Sequence, residues 1–194
     1  MIHQVLIAGF GGQGVLMAGQ VLALAALVEG KQVTWMPSYG PEQRGGTACC
    51  VVTISDRPIG SPLPEKLSAA LIFNRPSLIK YEPLLNDGSL VILNSSIVQA
   101  KDECRRHYAY HVPADALART AGLAKAGNVV MLGSYVEASG IVSPAAVEEA
   151  LAGYLGPAKQ HLMEANRKAL AAGQHFVHDL WVQSGTLPEE AIPA

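Results

Sequence analysis

A glycine-rich segment, Gly9-Phe10-Gly11-Gly12-Gln13-Gly14, lies between two apolar stretches and constrains the fold more than any other part of the sequence. Residues 3–8 have the length and apolarity of a buried strand. Val15–Val28 is apolar on nearly every side of a helix, so it must be covered on more than one side. Because glycines permit a tight turn and a close backbone approach, the segment predicts the first strand-loop-helix unit of an α/β protein.

The remaining pattern alternates strands with helices over the first two thirds and is mostly helical afterwards. Strands are predicted at Gln32–Met36 (closed by Pro37), Thr47–Ser55, Ala69–Phe73, Ser89–Leu93 (after a turn at Asn86–Gly88) and Tyr108–Val112. Helices are predicted after Pro76, over Pro113–Thr120, over residues 128–138, from Pro144 onwards, and over Pro157–Ala172 with an end at Gly173. This order predicts a single Rossmann-like domain over residues 1–194, with a mainly parallel sheet, helical cover and a helix-rich C-terminal part. Residues 187–194 hold two prolines and are expected to be a loose tail.

The composition limits the protein's partners. Charged residues make up 15% of the 194 residues, against about 25% in ordinary soluble domains. With so few charged residues, we expect apolar surface that a partner chain covers, part of it on Val15–Val28. We expect the isolated chain to form a homodimer. The net charge of −2 shows no excess of positive charge that would bind the phosphates of a nucleic acid. Since no signal peptide and no spanning segment is visible, we expect a cytoplasmic protein without a membrane contact.

The glycines at 9, 11 and 14 match the pattern G-x-G-x-x-G, which places a helix N-terminus where it can bind a phosphate. A dinucleotide site also needs an acidic residue about 20 positions later, and residues 32–38 contain none. Two interpretations remain at this point: an anion-binding loop, or glycines that only permit a tight turn.

A second loop, Pro37–Gly46, follows the second strand. Loops that leave parallel strands at their carboxyl ends share one edge of a sheet, so this loop should lie near Gly11–Gly14. Arg44 could bind a phosphate or carboxylate there. It could equally form a solvated pair with Glu42.

Taken together, the two loops resemble a known family. The segment Gly-Phe-Gly-Gly-Gln-Gly-Val at 9–15, joined to Ser-Tyr-Gly-Pro-Glu-Gln-Arg-Gly-Gly-Thr-Ala at 38–48, closely resembles the gamma subunits of 2-oxoacid:acceptor (ferredoxin) oxidoreductases. The resemblance continues through 54–56, 59–62, 93–96 and 128–133. The Ser-Tyr-Gly-Pro-Glu form is more similar to the 2-oxoglutarate or branched-chain 2-oxoacid enzymes, because indolepyruvate-type subunits tend to carry His at the position of Tyr39.

The resemblance implies a subunit of an enzyme that oxidatively decarboxylates a 2-oxoacid on thiamine diphosphate, passes electrons through iron–sulfur clusters to ferredoxin, and forms acyl-coenzyme A. Adjacent residues of a strand face opposite ways, so Cys49 and Cys50, with Cys104, give no cluster-binding spacing. Thiamine diphosphate and the clusters are therefore expected on partner alpha and beta subunits. A ferredoxin-like delta subunit stays open, and the isolated chain is expected to be inactive, with no catalytic residue and no metal.

The resemblance also implies that this chain helps to bind coenzyme A. Candidate contacts are Gly9, Gly11, Gly12, Gln13, Gly14, Val15, Arg44 and Asn128. Fused pyruvate enzymes tend to carry lysines where this chain has Glu42 and Gln43, so Arg44 would supply much of the positive charge. The alternatives are an NAD-dependent oxidoreductase and a purely structural scaffold subunit.

Overall fold

The computed structural model describes residues 2–40, 46–62, 64–99 and 104–184. Its strands are β1 (Ile2–Phe10), β2 (Gln32–Tyr39), β3 (Thr47–Ser55), β4 (Leu67–Ile72), β5 (Leu85–Asn94) and β6 (Tyr108–Val112). Its helices are α1 (Val15–Val28), α2 (Arg75–Tyr81), α3 (Ala114–Thr120), α4 (Gly127–Ser139), α5 (Pro144–Leu155) and α6 (Met163–Ser184), with 3₁₀ helices at Glu82–Leu84 and Pro157–Leu162. Arg44 and the predicted tail at 187–194 lie outside the described residues.

The strands form one six-stranded sheet in the order β2-β3-β1-β4-β5-β6. β1, β4, β5 and β6 are parallel to one another, whereas β3 pairs antiparallel with both β1 and β2. The predicted α/β class with a mainly parallel sheet is confirmed. The orientation of β3 was not predicted, and it means that β2 and β3 form a hairpin rather than two strands joined through a helix.

Helices cover the two faces of the sheet unequally. The larger core lies between the sheet and α1, α4, α5 and α6, and the smaller core lies under α2. α1 packs against β1, β2 and β3 on one side and against α5 on the other. The expected cover on more than one side is therefore confirmed. The expectation that α1 presents an interface to a partner is wrong for most of its length, because only Leu27 and Val28 at its end are exposed.

α4 and α6 pack closely through glycines, and this packing corrects one prediction. Gly173 was expected to end a helix over Pro157–Ala172, but residues 157–162 form a 3₁₀ helix and α6 continues through Gly173 to Ser184. A Cβ atom at Gly173 would overlap the carbonyl oxygen of Val130, and one at Gly133 would overlap the carbonyl oxygen of Leu170. The close packing of α4 and α6 therefore explains why glycine stands at 133 and 173. The low helical propensity of Gly173 does not end α6 there.

Two predicted strand ends also differ from the structure. Pro37 lies within β2 rather than closing it, which an edge strand tolerates because one side of its backbone needs no N–H donor. The turn predicted at Asn86–Gly88 lies inside β5, where the β4–β5 register shifts and Gly88 has a φ of 78°. In the described part of the chain, every helix is too short or too polar to cross a membrane.

Candidate functional site

The glycine loop and the second loop meet at the carboxyl ends of β1 and β2. In the sheet register, Phe10 at the end of β1 lies opposite Thr47, and Tyr39 at the end of β2 lies opposite Ala48. The N–H of Gly11 donates to the carbonyl of Gly46 at 2.8 Å. The predicted proximity of the two loops is therefore confirmed for the described residues.

A cavity of about 520 Å³ opens between these segments. Its lining comprises Phe10, Gly11, Gly12, Gly14, Val15, Leu16, Met17, Tyr39, Thr47 and Ala48. The side chains in this set are apolar except for two hydroxyl groups, and none of the described lining residues is charged. A ligand in this cavity would therefore meet apolar walls, together with the backbone N–H groups of the glycine loop and of α1.

The N-terminus of α1 supplies those N–H groups. Gly14 precedes the helix in the left-handed conformation, and the first α-helical bond runs from the Ala18 N–H to the Gly14 carbonyl at 3.0 Å. The N–H groups of Val15, Leu16 and Met17 consequently have no acceptor within the helix. The positive end of the helix dipole lies at the same place. These are the properties of an anion site.

Gly12 is the open point of the loop. It has a φ of 97°, and a Cβ atom built on it would have no neighbour within 4 Å. In contrast, a Cβ atom on Gly9 would lie 2.6 Å from Oε1 of Gln13, and one on Gly14 would overlap the side-chain amide of Asn128. Glycine is thus required at 9 and 14 by packing inside the protein, whereas space for a ligand exists over Gly12.

Two of the predicted contacts use their side chains within the protein. Oε1 of Gln13 accepts from the N–H of Phe10 at 2.6 Å, and its Nε2 donates to the carbonyl of Phe73 at 3.3 Å. Nδ2 of Asn128 donates to the carbonyl of Gly14 at 3.2 Å. Asn128 thus contacts the glycine loop, and the amides of Gln13 and Asn128 hold the loop and are absent from the cavity lining.

Asn94-Ser95-Ser96, part of the segment 93–96 that carries the family resemblance, lies where β5 ends. Oδ1 of Asn94 accepts from the N–H of Ser96 at 3.1 Å, and Nδ2 donates to Oδ1 of Asp115 at the same distance. Asn94 is buried. These bonds are those of a turn tied to α3, so the geometry supports the turn.

The position of β2 argues against a dinucleotide site. In a dinucleotide-binding fold the acidic residue that holds the ribose lies at the end of the strand next to β1. Here β3 separates β1 from β2. The described end of β2 is Pro37-Ser38-Tyr39, which has no carboxylate.

The cysteines give no ligand set for a metal cluster. Cys50 points into the larger core and Cys49 packs against the smaller core on the opposite face, as predicted for neighbours on a strand. Burial raises the pKa of the Cys50 thiol to about 12. Among the described residues, no group of three or more His, Cys, Asp or Glu side chains is placed to hold a metal ion.

Three residues at the site received no role from the sequence. The ring of Tyr39 is 68% exposed at the mouth of the cavity, and Met17 forms part of the wall. Asn74 caps α2 and donates from Nδ2 to Oε1 of Gln13 at 3.3 Å. An Asn two residues before Pro76 is a helix-start signal, so Asn74 could have been identified as a cap. Its link to Gln13 requires the tertiary structure.

Comparison with known proteins identifies relatives over nearly the whole chain. Residues 4–176 match the family described as pyruvate ferredoxin/flavodoxin oxidoreductase. Ketoisovalerate oxidoreductase subunit VorA of Methanothermobacter thermautotrophicus is 38% identical over 178 residues, which cover 91% of this chain and 36% of VorA. The 2-oxoglutarate synthase subunit KorC of the same organism is 35% identical over 181 residues, covering 90% of this chain and 94% of KorC.

Solved structures show the same fold. The gamma subunit of keto/oxoacid ferredoxin oxidoreductase from Geobacter sulfurreducens superposes with a TM-score of 0.81 at 29% identity, covering 92% of this chain and 98% of that one. A chain of 2-oxoglutarate:ferredoxin oxidoreductase from Magnetococcus marinus gives a TM-score of 0.83 at 19% identity, and this chain covers 31% of it. The chain therefore spans about a third of VorA and of the Magnetococcus chain, but nearly all of KorC and of the Geobacter subunit.

Proposed function

The chain belongs to the pyruvate ferredoxin/flavodoxin oxidoreductase family, and from that membership we propose that it is the gamma-type subunit of a 2-oxoacid:ferredoxin oxidoreductase. In this proposal the complete enzyme converts a 2-oxoacid to an acyl-coenzyme A, and this subunit helps to bind coenzyme A. The names of its relatives as subunits of ketoisovalerate oxidoreductase and 2-oxoglutarate synthase support the proposal. They also favour a branched-chain 2-oxoacid or 2-oxoglutarate as the substrate.

The observation that carries the coenzyme A role is the cavity at the N-terminus of α1. Coenzyme A combines a diphosphate with a long, weakly polar arm. The N–H groups of α1 that have no acceptor within the helix suit the diphosphate, and the walls formed by Leu16, Met17 and Tyr39 suit the arm. The cavity volume of about 520 Å³ lies within the usual range for ligand pockets and accommodates part of the molecule. The Magnetococcus enzyme, whose structure contains bound coenzyme A, has a chain of the same fold.

We assign the contacts as follows. The N–H groups of Gly12, Gly14 and Val15 face the diphosphate, with Gly12 providing the open approach. Arg44, between the cavity residues Tyr39 and Thr47 in the sequence, supplies positive charge that the described lining lacks. Gly9, Gln13 and Asn128 maintain the loop from inside, and Gly11, which lines the cavity, ties the loop to Gly46.

Thiamine diphosphate and the iron–sulfur clusters are assigned to partner subunits of the alpha and beta type. The cysteines of this chain do not fit a cluster, because Cys49 and Cys50 face opposite sides of the sheet. When bound to their own subunits, these cofactors supply the decarboxylation and electron-transfer chemistry. VorA and the Magnetococcus chain contain this domain within a longer polypeptide, which supports a tight association with the remainder of the enzyme.

The test is to reconstitute the complex with Arg44→Ala and to confirm its assembly by size. Removal of a charge-assisted hydrogen bond should raise the Michaelis constant for coenzyme A roughly ten- to hundredfold. The Michaelis constant for the 2-oxoacid should hardly change, since Arg44 is assigned no contact with it. A structural scaffold predicts unchanged coenzyme A kinetics with impaired assembly. An NAD enzyme predicts that NAD, rather than coenzyme A, protects the chain against thermal unfolding.

A further inference from the structure

The side chain of Gln13 folds back into its own loop. Its Oε1 accepts two hydrogen bonds, from the N–H of Phe10 at 2.6 Å and from Nδ2 of Asn74 at 3.3 Å. Its Nε2 donates to the carbonyl of Phe73 at 3.3 Å. The backbone N–H of Gln13 donates to the Phe10 carbonyl at 3.1 Å. One side chain thus connects the end of β1 with the segment that follows β4.

Asn74, the N-cap of α2 just after β4, joins this arrangement. It is buried, its Oδ1 accepts from the N–H of Ser77 at 2.9 Å, and its Nδ2 reaches Gln13. The preceding residue, Phe73, donates its N–H to the carbonyl of Ala8 and so extends the β1–β4 pairing into the loop. Asn74 is not among the residues that line the cavity. Any effect it has on a ligand must therefore pass through Gln13 and the loop.

We infer that Gln13 and Asn74 are positioning residues that fix the direction of the loop's N–H groups and that neither contacts coenzyme A. The inference rests on the proposed coenzyme A role of the cavity. The Gln13 side chain is hydrogen-bonded to Phe10 at the start of the loop and to Phe73 and Asn74 after β4. These bonds limit the rotation of the peptides between Phe10 and Gly14. Preorganised N–H donors bind an anion more tightly than donors that must be ordered on binding. Gly9 leaves room for this folded-back side chain, because a Cβ atom there would lie 2.6 Å from Oε1 of Gln13, as well as 2.8 Å from Cβ of Phe73.

The test compares Gln13→Met, Asn74→Ser and the double variant in the assembled complex. Met has the length to fill the space over Gly9 but makes none of the amide hydrogen bonds. Ser can still cap α2 but is too short to reach Gln13. Asn94→Ser is the matched control, because Asn94 is also a buried Asn at the end of a strand, but its bonds go to Ser96 and Asp115.

Each single variant should raise the Michaelis constant for coenzyme A about three- to tenfold, which is the effect expected from the loss of a neutral hydrogen bond. The double variant should be no worse than the more severe single variant, because both changes break the same connection. The turnover number at saturating coenzyme A and the Michaelis constant for the 2-oxoacid should stay at wild-type values. Asn94→Ser should leave all three parameters unchanged. If Gln13→Met fails to assemble, Asn74→Ser carries the test.

The possible failures are distinguishable. If Gln13→Met raises the coenzyme A constant while Asn74→Ser does not, Gln13 contacts the ligand itself and the inference is wrong. If neither variant changes it but Arg44→Ala does, the inference fails and the proposed function stands. If all three leave it unchanged, the proposed function fails as well.

Discussion

Gly173 of α6 lies directly on the main chain of Val130 in α4, with no space for a methyl group between them. A Cβ atom at Gly173 would overlap the Val130 carbonyl oxygen and would lie 2.9 Å from the backbone nitrogen of Ser134. The hydroxyl oxygen of Ser134 lies 3.1 Å from the carbonyl oxygen of Val130 and 3.0 Å from that of Gly173, so its one proton has an acceptor on each helix. The crossing of the two helices is therefore held by backbone contact and by a buried hydroxyl.

This crossing predicts large effects for small substitutions. Gly173→Ala and Gly133→Ala should each destabilise the chain by about 1–3 kcal/mol or more, because the added methyl group overlaps backbone that cannot move independently. Gly153→Ala in α5 is the control: its Cβ would meet nothing within 4 Å, and it should stabilise by about 0.5–1 kcal/mol. Urea unfolding measures all three. Equal stability of Gly173→Ala and Gly153→Ala would contradict the close crossing.

Gly12→Ala and Gly14→Ala should differ, although both glycines have positive φ. At Gly12 the new methyl group meets no neighbour, so only the backbone strain of about 1–2 kcal/mol is expected. At Gly14 the overlap with the Asn128 amide is added. Gly14→Ala should therefore be the more destabilising, and the pair Gly14→Ala with Asn128→Ala should cost less than the sum of its members. Additive unfolding free energies would refute the contact.

Tyr39→Ala should separate ligand binding from stability. The ring is 68% exposed, so the free energy of unfolding should change by no more than about 0.5 kcal/mol. Loss of an aromatic wall should raise the Michaelis constant for coenzyme A about two- to tenfold. Tyr154→Ala, on α5 and outside the cavity lining, should leave the Michaelis constant for coenzyme A unchanged. A drop in stability without a kinetic effect would place Tyr39 in the fold rather than at the ligand.

The buried thiol of Cys50 should make the chain sensitive to alkali. Burial raises its pKa from 9.0 to about 12, so between these values the unfolded thiol is ionised while the folded one stays protonated. The stability contribution is complete below pH 9 and is lost as the pH rises, by up to about 1.4 kcal/mol per pH unit. Burial also raises the pKa of Tyr135. The free energy of unfolding of Cys50→Ala, measured with urea between about pH 8 and 11, should therefore decline less steeply than that of wild type. Some decline should remain because of Tyr135. A decline as steep as that of wild type would contradict the role given to Cys50.

The isolated chain should not oxidise any 2-oxoacid. Cys50 lies in the larger core, on the opposite face of the sheet from Cys49 and Cys104, and the proposed site offers backbone N–H groups and apolar walls rather than a group that could carry electrons. Assay of the purified chain with several 2-oxoacids, coenzyme A and an electron acceptor tests this. Activity in a preparation free of partner subunits would overturn the assignment of the cofactors to other chains.

Much of this fold could be predicted from local sequence. The apolar run before Gly9, the glycine loop and the apolar run after it correspond to β1, the turn and α1, because each element's burial is evident in its own residues. The pairing of β3 could not be predicted, since a β-branched run indicates a strand but not its direction. Neither could the passage of α6 through Gly173, which depends on Val130, far away in the sequence.

For the candidate site, the sequence predicted which two loops meet but not the role of each residue in them. The pattern of glycines and the order of strands placed the two loops together, as the Gly11–Gly46 hydrogen bond shows. The pattern did not distinguish residues that face a ligand from residues that hold the loop. The Gln13 amide holds the loop through Phe73 and Asn74, and the Asn128 amide holds it through Gly14. These partners come together only when the chain folds.

The antiparallel pairing of β2 with β3 has a consequence for how this protein can change over evolution. Residues between Tyr39 and Thr47 join two strands that are already paired from Gln32–Ser55 to Tyr39–Ala48. Replacement of residues in that connection therefore leaves the strand register intact, whereas replacement of Gln13 or Gly14 disturbs the loop from which α1 starts. The fold therefore tolerates sequence change between Tyr39 and Thr47 more readily than at Gln13 and Gly14, whose contacts hold the start of α1.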